Sequence, residues 1–296
     1  MLDPAGEPRQ VELDDVPFFP QEDYQCGPAA LTTVLHHAGI DVPYRDVADR
    51  TYLPKRRGSL QLELLAETRR HGLVPYPLPP DLQSLIAEIN AARPVLVLQN
   101  LGLGWLPKWH YAVVVGYDRA ADQFTLRSGR ERRVRTGGNE FMRTWRLADQ
   151  WAMVVLGPSE LPASLEPRRY LKAVSALEGA GRLDSAATAY DRFLTRYPED
   201  VNGLLGRGNV ALQQGRRRQA MDFYTRALAV NPAASAAGNN LAYALLKMDQ
   251  PCAARAQIQQ TLALAASDDP LREELIATAR EIDATIPSPS DCHGNP

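Results

Sequence analysis

The sequence predicts two domains: an α+β front half, with helices first and an antiparallel sheet after, and an all-α repeat domain behind it. Three observations predict this. Up to about residue 90 the apolar residues recur at helical spacing, whereas from 94 to 156 they come in short runs bounded by turn residues. Pro158, Pro162 and Pro167 then break the pattern, and the composition shifts to Ala, Leu, Arg and Gln. Beyond that break Pro198 and Pro232 stand 34 residues apart, with Ala186 matching Ala220 and Tyr190 matching Tyr224.

The elements follow in order. Val11 to Pro20 reads as extended chain, because Pro17 and Pro20 oppose helix. A helix begins at Cys26. Pro28 suits its first turn, Leu31, Val34 and Leu35 mark its buried face, and Gly39 ends it. Tyr44 to Tyr52 forms a short second helix, and Lys55 to Gly58 a loop. Ser59 is the expected N-cap of a third, with Leu60, Leu62, Leu65 and Ala66 inward and Gly72 at its end. Asp81 caps a fourth, with Leu82, Leu85, Ile86 and Ile89 on one face. Strands are expected at Pro94–Leu98, His110–Tyr117 and Phe124–Arg127, with Arg132–Arg135 continuing the sheet. A helix at Asn139–Leu147 and a last strand at Trp151–Leu156 complete the front half. The alternating Arg127, Arg130, Arg132, Arg133 and Arg135 are read as a solvated hairpin face, against the alternative of a surface that recognises an acidic peptide or carboxylate.

Composition narrows the function. The chain has 296 residues, 45% hydrophobic and 23% charged, as in ordinary globular proteins. A formal net charge of −2 opposes general nucleic-acid binding. No apolar run approaches the ~20 residues of a transmembrane helix. The start shows no signal-peptide pattern, and the sequence leaves the location open: cell envelope or periplasm if a signal was removed, otherwise cytoplasmic. Cys252 and Cys292 are able to pair with each other, but two unpaired thiols are the expectation. No metal-ligand spacing is present, and neither a metal nor another cofactor is expected.

In the second half, Gly208, Ala227 and Pro232 occupy the small-residue and proline positions of a 34-residue unit. A third unit starts near Ala236, with Leu241, Ala242 and Ala254, and Leu271 to Ile282 reads as one further helix. This pattern resembles the tetratricopeptide-repeat family. The resemblance implies stacked helix pairs and a groove that docks a peptide or partner protein, against the alternative of a purely structural helical arm.

The chemistry centres on Cys26. A thiol at a helix start lies in the positive field of the helix and near unpaired N–H groups, which can take a cysteine pKa from about 8.5 to roughly 3.5–7.5. Cys26 is thus either a nucleophile or a small core cysteine. A nucleophilic thiol needs a base. His36 and His37 lie in the same helix, His71 at a helix end and His293 in the tail; His110 opens an apolar strand after a loop and is the candidate. Trp105 and Trp109 beside it are candidates for an apolar substrate wall, or for ordinary packing.

Cysteine at a helix start and histidine at a later strand start is the papain-like order. Cys26-Gly27-Pro28-Ala29-Ala30-Leu31, then Gly58-Ser59, Pro94-Val95-Leu96-Val97 and His110-Tyr111-Ala112-Val113-Val114-Val115-Gly116-Tyr117, resembles the bacteriocin-processing, double-glycine leader peptidases and their stand-alone relatives. The resemblance implies that Cys26 attacks a peptide carbonyl and His110 shuttles the proton. Gln21 and the Cys26 amide would stabilise the oxyanion, although Gln21 lies five residues before the cysteine and the family more usually has six. The family's aspartate after the histidine strand is replaced by Ser128, a hydroxyl that can orient the ring but carries no charge.

The expected organisation is a flexible leader over 1–12, a papain-like cysteine peptidase-like domain over 13–160 and a linker over 161–168. A tetratricopeptide-repeat domain over 169–285, of about three repeats and a capping helix, precedes a disordered tail over 286–296. Three functions are compatible: a cysteine peptidase acting on a peptide or protein through a Cys26 thioester, a peptidase-like adaptor that binds without cutting, and acyl or amide transfer on the same pair.

Overall fold

The computed structural model describes residues 8–286 and Cys292. Residues 1–7 of the expected leader, and all of the expected tail except Ile286 and Cys292, lie outside the described residues. The chain divides into two compact units, Met1–Arg182 and Leu183–Pro296.

The first unit is α+β. Its elements are β1 (Gln10–Glu12), α1 (Cys26–His37), α2 (Tyr44–Thr51), α3 (Gln61–Arg70), β2 (Val74–Pro77), α4 (Leu82–Asn90), β3 (Val95–Asn100), β4 (Trp109–Asp118), β5 (Gln123–Ser128), β6 (Glu131–Gly137), α5 (Gly138–Arg146), β7 (Ala152–Leu156) and α6 (Pro167–Gly179). All strand pairings are antiparallel, in the order β2-β7-β3-β4-β5-β6, with β1 added along the far end of β4. The middle strands carry near-continuous apolar runs because both of their faces are covered. Val95 to Val97 and Ala112 to Val115 are fully buried, and α1 lies against β3 and β4 with Leu31, Val34 and Leu35 inward. Each such side chain contributes roughly 1.5–3 kcal/mol of burial. The pairing sets Gln99 opposite His110 and Val113 opposite Arg127, which brings the histidine to the rim of the sheet.

Several expectations change. Gln10–Glu12 pair with Gly116–Asp118, so the leader is structured from residue 10. Ser59 is not the cap of α3: Leu60 holds that place, and the Ser59 side chain turns inward. Leu62 is exposed, and the buried face of α3 is Leu64, Glu67 and Thr68. Burial of Glu67 is offset by ion pairs to Arg50 at 3.0 Å and Arg70 at 3.5 Å and a hydrogen bond to His71 at 3.0 Å. α6 joins this unit through β2: Tyr76 and Tyr170 meet ring to ring, and Tyr76 donates to Ser164 O and accepts from the Glu166 amide.

The arginine face is not simply solvated. Arg127 is buried, donating to the carbonyls of Leu13, Val16 and Arg132. Arg133 makes a two-point pair with Glu12 at 2.6 Å, Arg132 donates to Asp14 O, and Arg130 reaches Asp23 at 3.2 Å. These side chains clamp the segment leading to α1 onto the β5–β6 hairpin.

The second unit is all-α: α7 (Leu183–Arg196), α8 (Val201–Gln213), α9 (Arg217–Val230), α10 (Ser235–Leu246), α11 (Pro251–Leu264) and α12 (Arg272–Ala284). The repeated Ala186, Tyr190, Ala220 and Tyr224 are all buried. Gly208 faces the Tyr224 ring so closely that a Cβ there would overlap it. Asn209 Oδ1 accepts from Tyr224 OH and from Asn240 Nδ2, both at 2.9 Å, tying α8 to α9 and α10. α12 covers the last pair with Leu275 and Ile282. Cys252 and Cys292 form a disulfide. This corrects the expected free thiols: Cys292 bonds to the start of α11, 40 positions back, a pairing that no local pattern encodes.

Candidate active site

Cys26 is the first residue of α1. The approach to it is bent: Tyr24 lies at φ 63°, a left-handed conformation that costs a non-glycine residue about 1–2 kcal/mol. Its ring lies under the Arg57 guanidinium, 5.5 Å from the ring centre, and Gln25 Oε1 accepts from Tyr44 OH at 2.8 Å. Gln25 is thus turned away from the sulfur, and its backbone opens the helix.

The Cys26 sulfur faces three backbone amides, those of Tyr111, Gly27 and Cys26 itself. Tyr111 follows His110 in β4, so the thiol meets the sheet one residue from the imidazole. Burial nevertheless dominates. It pushes the thiol above its ordinary range, and the amides recover only part of that shift. The expected activation by the helix start is therefore corrected: a sulfur tucked beneath β4 loses more solvation than the N–H groups return.

His110 Nε2 lies 2.8 Å from Ser128 Oγ. Burial pushes the imidazole down to about 4, with the nearby Lys108 charge adding to the effect. At neutral pH the ring is uncharged, and in the tautomer whose Nε2 carries the hydrogen, Ser128 Oγ accepts it and the lone pair sits on Nδ1. Cys26, Gln21, Ser128 and Tyr111 line one narrow cleft together with Phe19, Ala29 and Arg127. Gln21 is held there by its amide, which donates to Gly129 O at 3.0 Å, and its Oε1 is buried without a partner among the described residues. A second, wider cleft shares Phe19 and Gln21 with it and is bounded also by Pro20, Glu22, Tyr44 and Arg130.

Trp105 and Trp109 stand in solvent, 80% and 54% exposed, and line neither cavity. They project from the rim and do not form a wall packed over the sulfur. Two polar side chains of the site escaped the sequence reading. Ser59 packs on the backbone of Gly27, where a Cβ would come within 2.6 Å of its Oγ, and that hydroxyl is buried without a partner among the described residues. Arg127 sits in an alternating arginine run, and nothing local marks it as the buried member. The Tyr111 amide carries no sequence signal at all.

Residues 13–152 match the family model described as Peptidase_C39 like family. No curated protein matches the chain. Similar solved structures include a C39-like peptidase from Bacillus anthracis, 17% identical, covering 50% of this chain and 97% of that one with a TM-score of 0.41. A double glycine motif protease from an AMS/PCAT transporter, solved with its leader peptide, is 20% identical over 50% of this chain and 97% of its own, at a TM-score of 0.37. The Yersinia enterocolitica type III secretion chaperone SycD, solved with a YopD peptide, is 14% identical over 40% of this chain and 92% of its own, at a TM-score of 0.38.

Proposed function

We propose, starting from the C39-like character of residues 13–152, that the first unit is a cysteine peptidase and the second docks the protein or peptide it acts on. The observation that carries this reading is the meeting of the Cys26 sulfur with the Tyr111 amide, directly after a histidine whose Nε2 is held by Ser128. Both partners are neutral at rest, so the chemistry differs from that of a preformed thiolate–imidazolium pair. As Cys26 Sγ bonds to the peptide carbonyl carbon, the thiol proton passes to His110 Nδ1. The carbonyl oxygen gains charge opposite the Cys26 amide and the Gln21 side-chain amide. His110 then returns the proton to the departing amine, leaving a thioester. Water, deprotonated by the same nitrogen, hydrolyses it and releases the thiol.

A second reading, an adaptor that binds peptides without cutting, is favoured by the same numbers: a thiol pushed up, an imidazole pushed down, and a hydroxyl in place of a carboxylate. One experiment separates the two. The wild-type protein, Cys26→Ala and His110→Gln are incubated with a peptide library, and cleavage is read by mass spectrometry. Cleavage lost in both variants supports the peptidase. Retained peptide binding with no cleavage by any of the three supports the adaptor.

A further inference from the structure

The apolar side chains of the turn between β3 and β4 have no role in the chemistry above, yet the turn is tightly built. Five exposed large apolar side chains fall within nine consecutive residues: Leu101, Leu103, Trp105, Leu106 and Trp109. A sixth, exposed Leu147, stands beside them, since a Cβ on Gly104 would sit 3.9 Å from its methyl carbon. Monomeric proteins seldom leave such groups together in water without a use.

The exposure does not come from a slack loop. Asn100 is buried, and its Oδ1 accepts from the amides of Gly102 and Lys108, both at 2.9 Å, while its Nδ2 donates to Leu103 O. Leu101 N donates to Lys108 O at 2.9 Å, and Leu103 and Leu106 exchange both backbone hydrogen bonds at 3.1 Å. Gly102 lies so close to Leu106 O that no side chain fits there. The turn is therefore fixed, and it holds its apolar groups outward.

Shape and charge point to what meets it. A side chain as open as Trp105, 80% exposed, is on a convex tip. A groove-bound peptide would cover one flank of such a tip, whereas a lipid interface can receive it from every side. Indole rings favour that boundary, with an apolar body and a polar N–H. Lys108 lies within the turn, and Arg143 and Arg146 close the neighbouring α5. None of the three has an acidic partner among the described residues. Asp149 just beyond Leu147 and Glu140 at the other end of α5 are the carboxylates of this stretch, leaving an excess of positive charge. Among the described residues no helix is long and apolar enough to cross a membrane.

We propose that the 101–109 tip docks the first unit on an anionic membrane surface. Trp105 and Leu106 enter the headgroup–acyl boundary, and Lys108, Arg143 and Arg146 face lipid phosphates. This does not depend on Cys26 being catalytic.

The test is flotation of the full chain with vesicles of phosphatidylcholine alone or mixed with phosphatidylglycerol. The wild-type protein should float with the mixed vesicles, with its indole emission shifted to the blue, and salt should release it. Trp105→Ser/Leu106→Ser should lose about tenfold or more of the binding with an unchanged melting curve, because both side chains are already exposed. Lys108→Gln/Arg143→Gln/Arg146→Gln should lose the preference for the anionic vesicles. Absent flotation, or flotation unchanged in the Trp105/Leu106 variant, overturns the proposal. So does a self-association by sedimentation that the double variant abolishes, or a defect confined to KM for a peptide.

Discussion

His110 Nε2 and Ser128 Oγ lie 2.8 Å apart across the β4–β5 pair, so the imidazole is oriented by a hydroxyl. A hydroxyl fixes the ring but does little to stabilise a positive charge on it. Replacing Ser128 with Asp supplies that charge at the same strand position. Ser128→Asp should raise the imidazole's basicity and speed Cys26 alkylation at pH 7 by about tenfold per unit gained. Ser128→Ala should slow it. The check is the second-order rate with iodoacetamide, and equal rates in all three proteins would refute the orienting role.

The resting neutral pair makes a second prediction about pH. Because burial lifts the thiol, reactivity should climb through the alkaline range without the plateau near pH 5–7 that a thiolate–imidazolium pair would give. The measurement is the alkylation rate of the full chain from pH 5 to 10, with Cys26→Ser as the blank.

Stability should carry the mark of His110 as well. Its folded value of about 4 lies below the ordinary 6.5, so the unfolded chain binds the extra proton first. Its stabilising contribution is whole above pH 6.5 and is lost as pH falls toward 4, by about 3 kcal/mol at most. His110→Gln should flatten that part of the curve. Urea midpoints at pH 7 and pH 4.5 for the two proteins measure the difference.

Arg127→Met should destabilise the first unit by about 2–4 kcal/mol, because the carbonyls of Leu13, Val16 and Arg132 lose a buried donor. The same change should loosen the segment that carries Gln21. Thermal melting reads the first effect, and faster exchange of amides 13–21 with deuterium reads the second.

How far the fold could be read beforehand depended on whether its cause was local. The 34-residue spacing of Pro198 and Pro232 was legible because each repeat uses the same small and aromatic positions, and Ala186, Tyr190, Ala220 and Tyr224 are indeed buried alike. Asp81 was legible because a cap is a local bond, here from the Ser84 amide to its side chain at 2.7 Å. β2 was not, since Pro75 and Pro77 argue against a strand; they are tolerated because β2 is an edge of the sheet. Cys26 and His110 stand out as candidates by their order, but the direction in which burial moves their acidity depends on the folded surroundings. Glu67 shows the same limit: a glutamate inside α3 makes sense only with Arg50 and Arg70 in view.

Under denaturing conditions without reductant the protein should show one reactive thiol, and three after reduction, by a colorimetric thiol count. Cys292→Ser should lower the stability of the second unit by about 2–4 kcal/mol, as expected for a link across 40 positions.

The protonated state of Cys26 bears on survival in oxidising surroundings. Disulfides such as Cys252–Cys292 persist where glutathione does not strip them. A standing thiolate there would be open to peroxide, and the first unit holds no second cysteine to rescue a sulfenic acid. A sulfur that keeps its proton until substrate arrives trades speed for shelf life, and can remain chemically intact in a chain whose other two cysteines need oxidant to join.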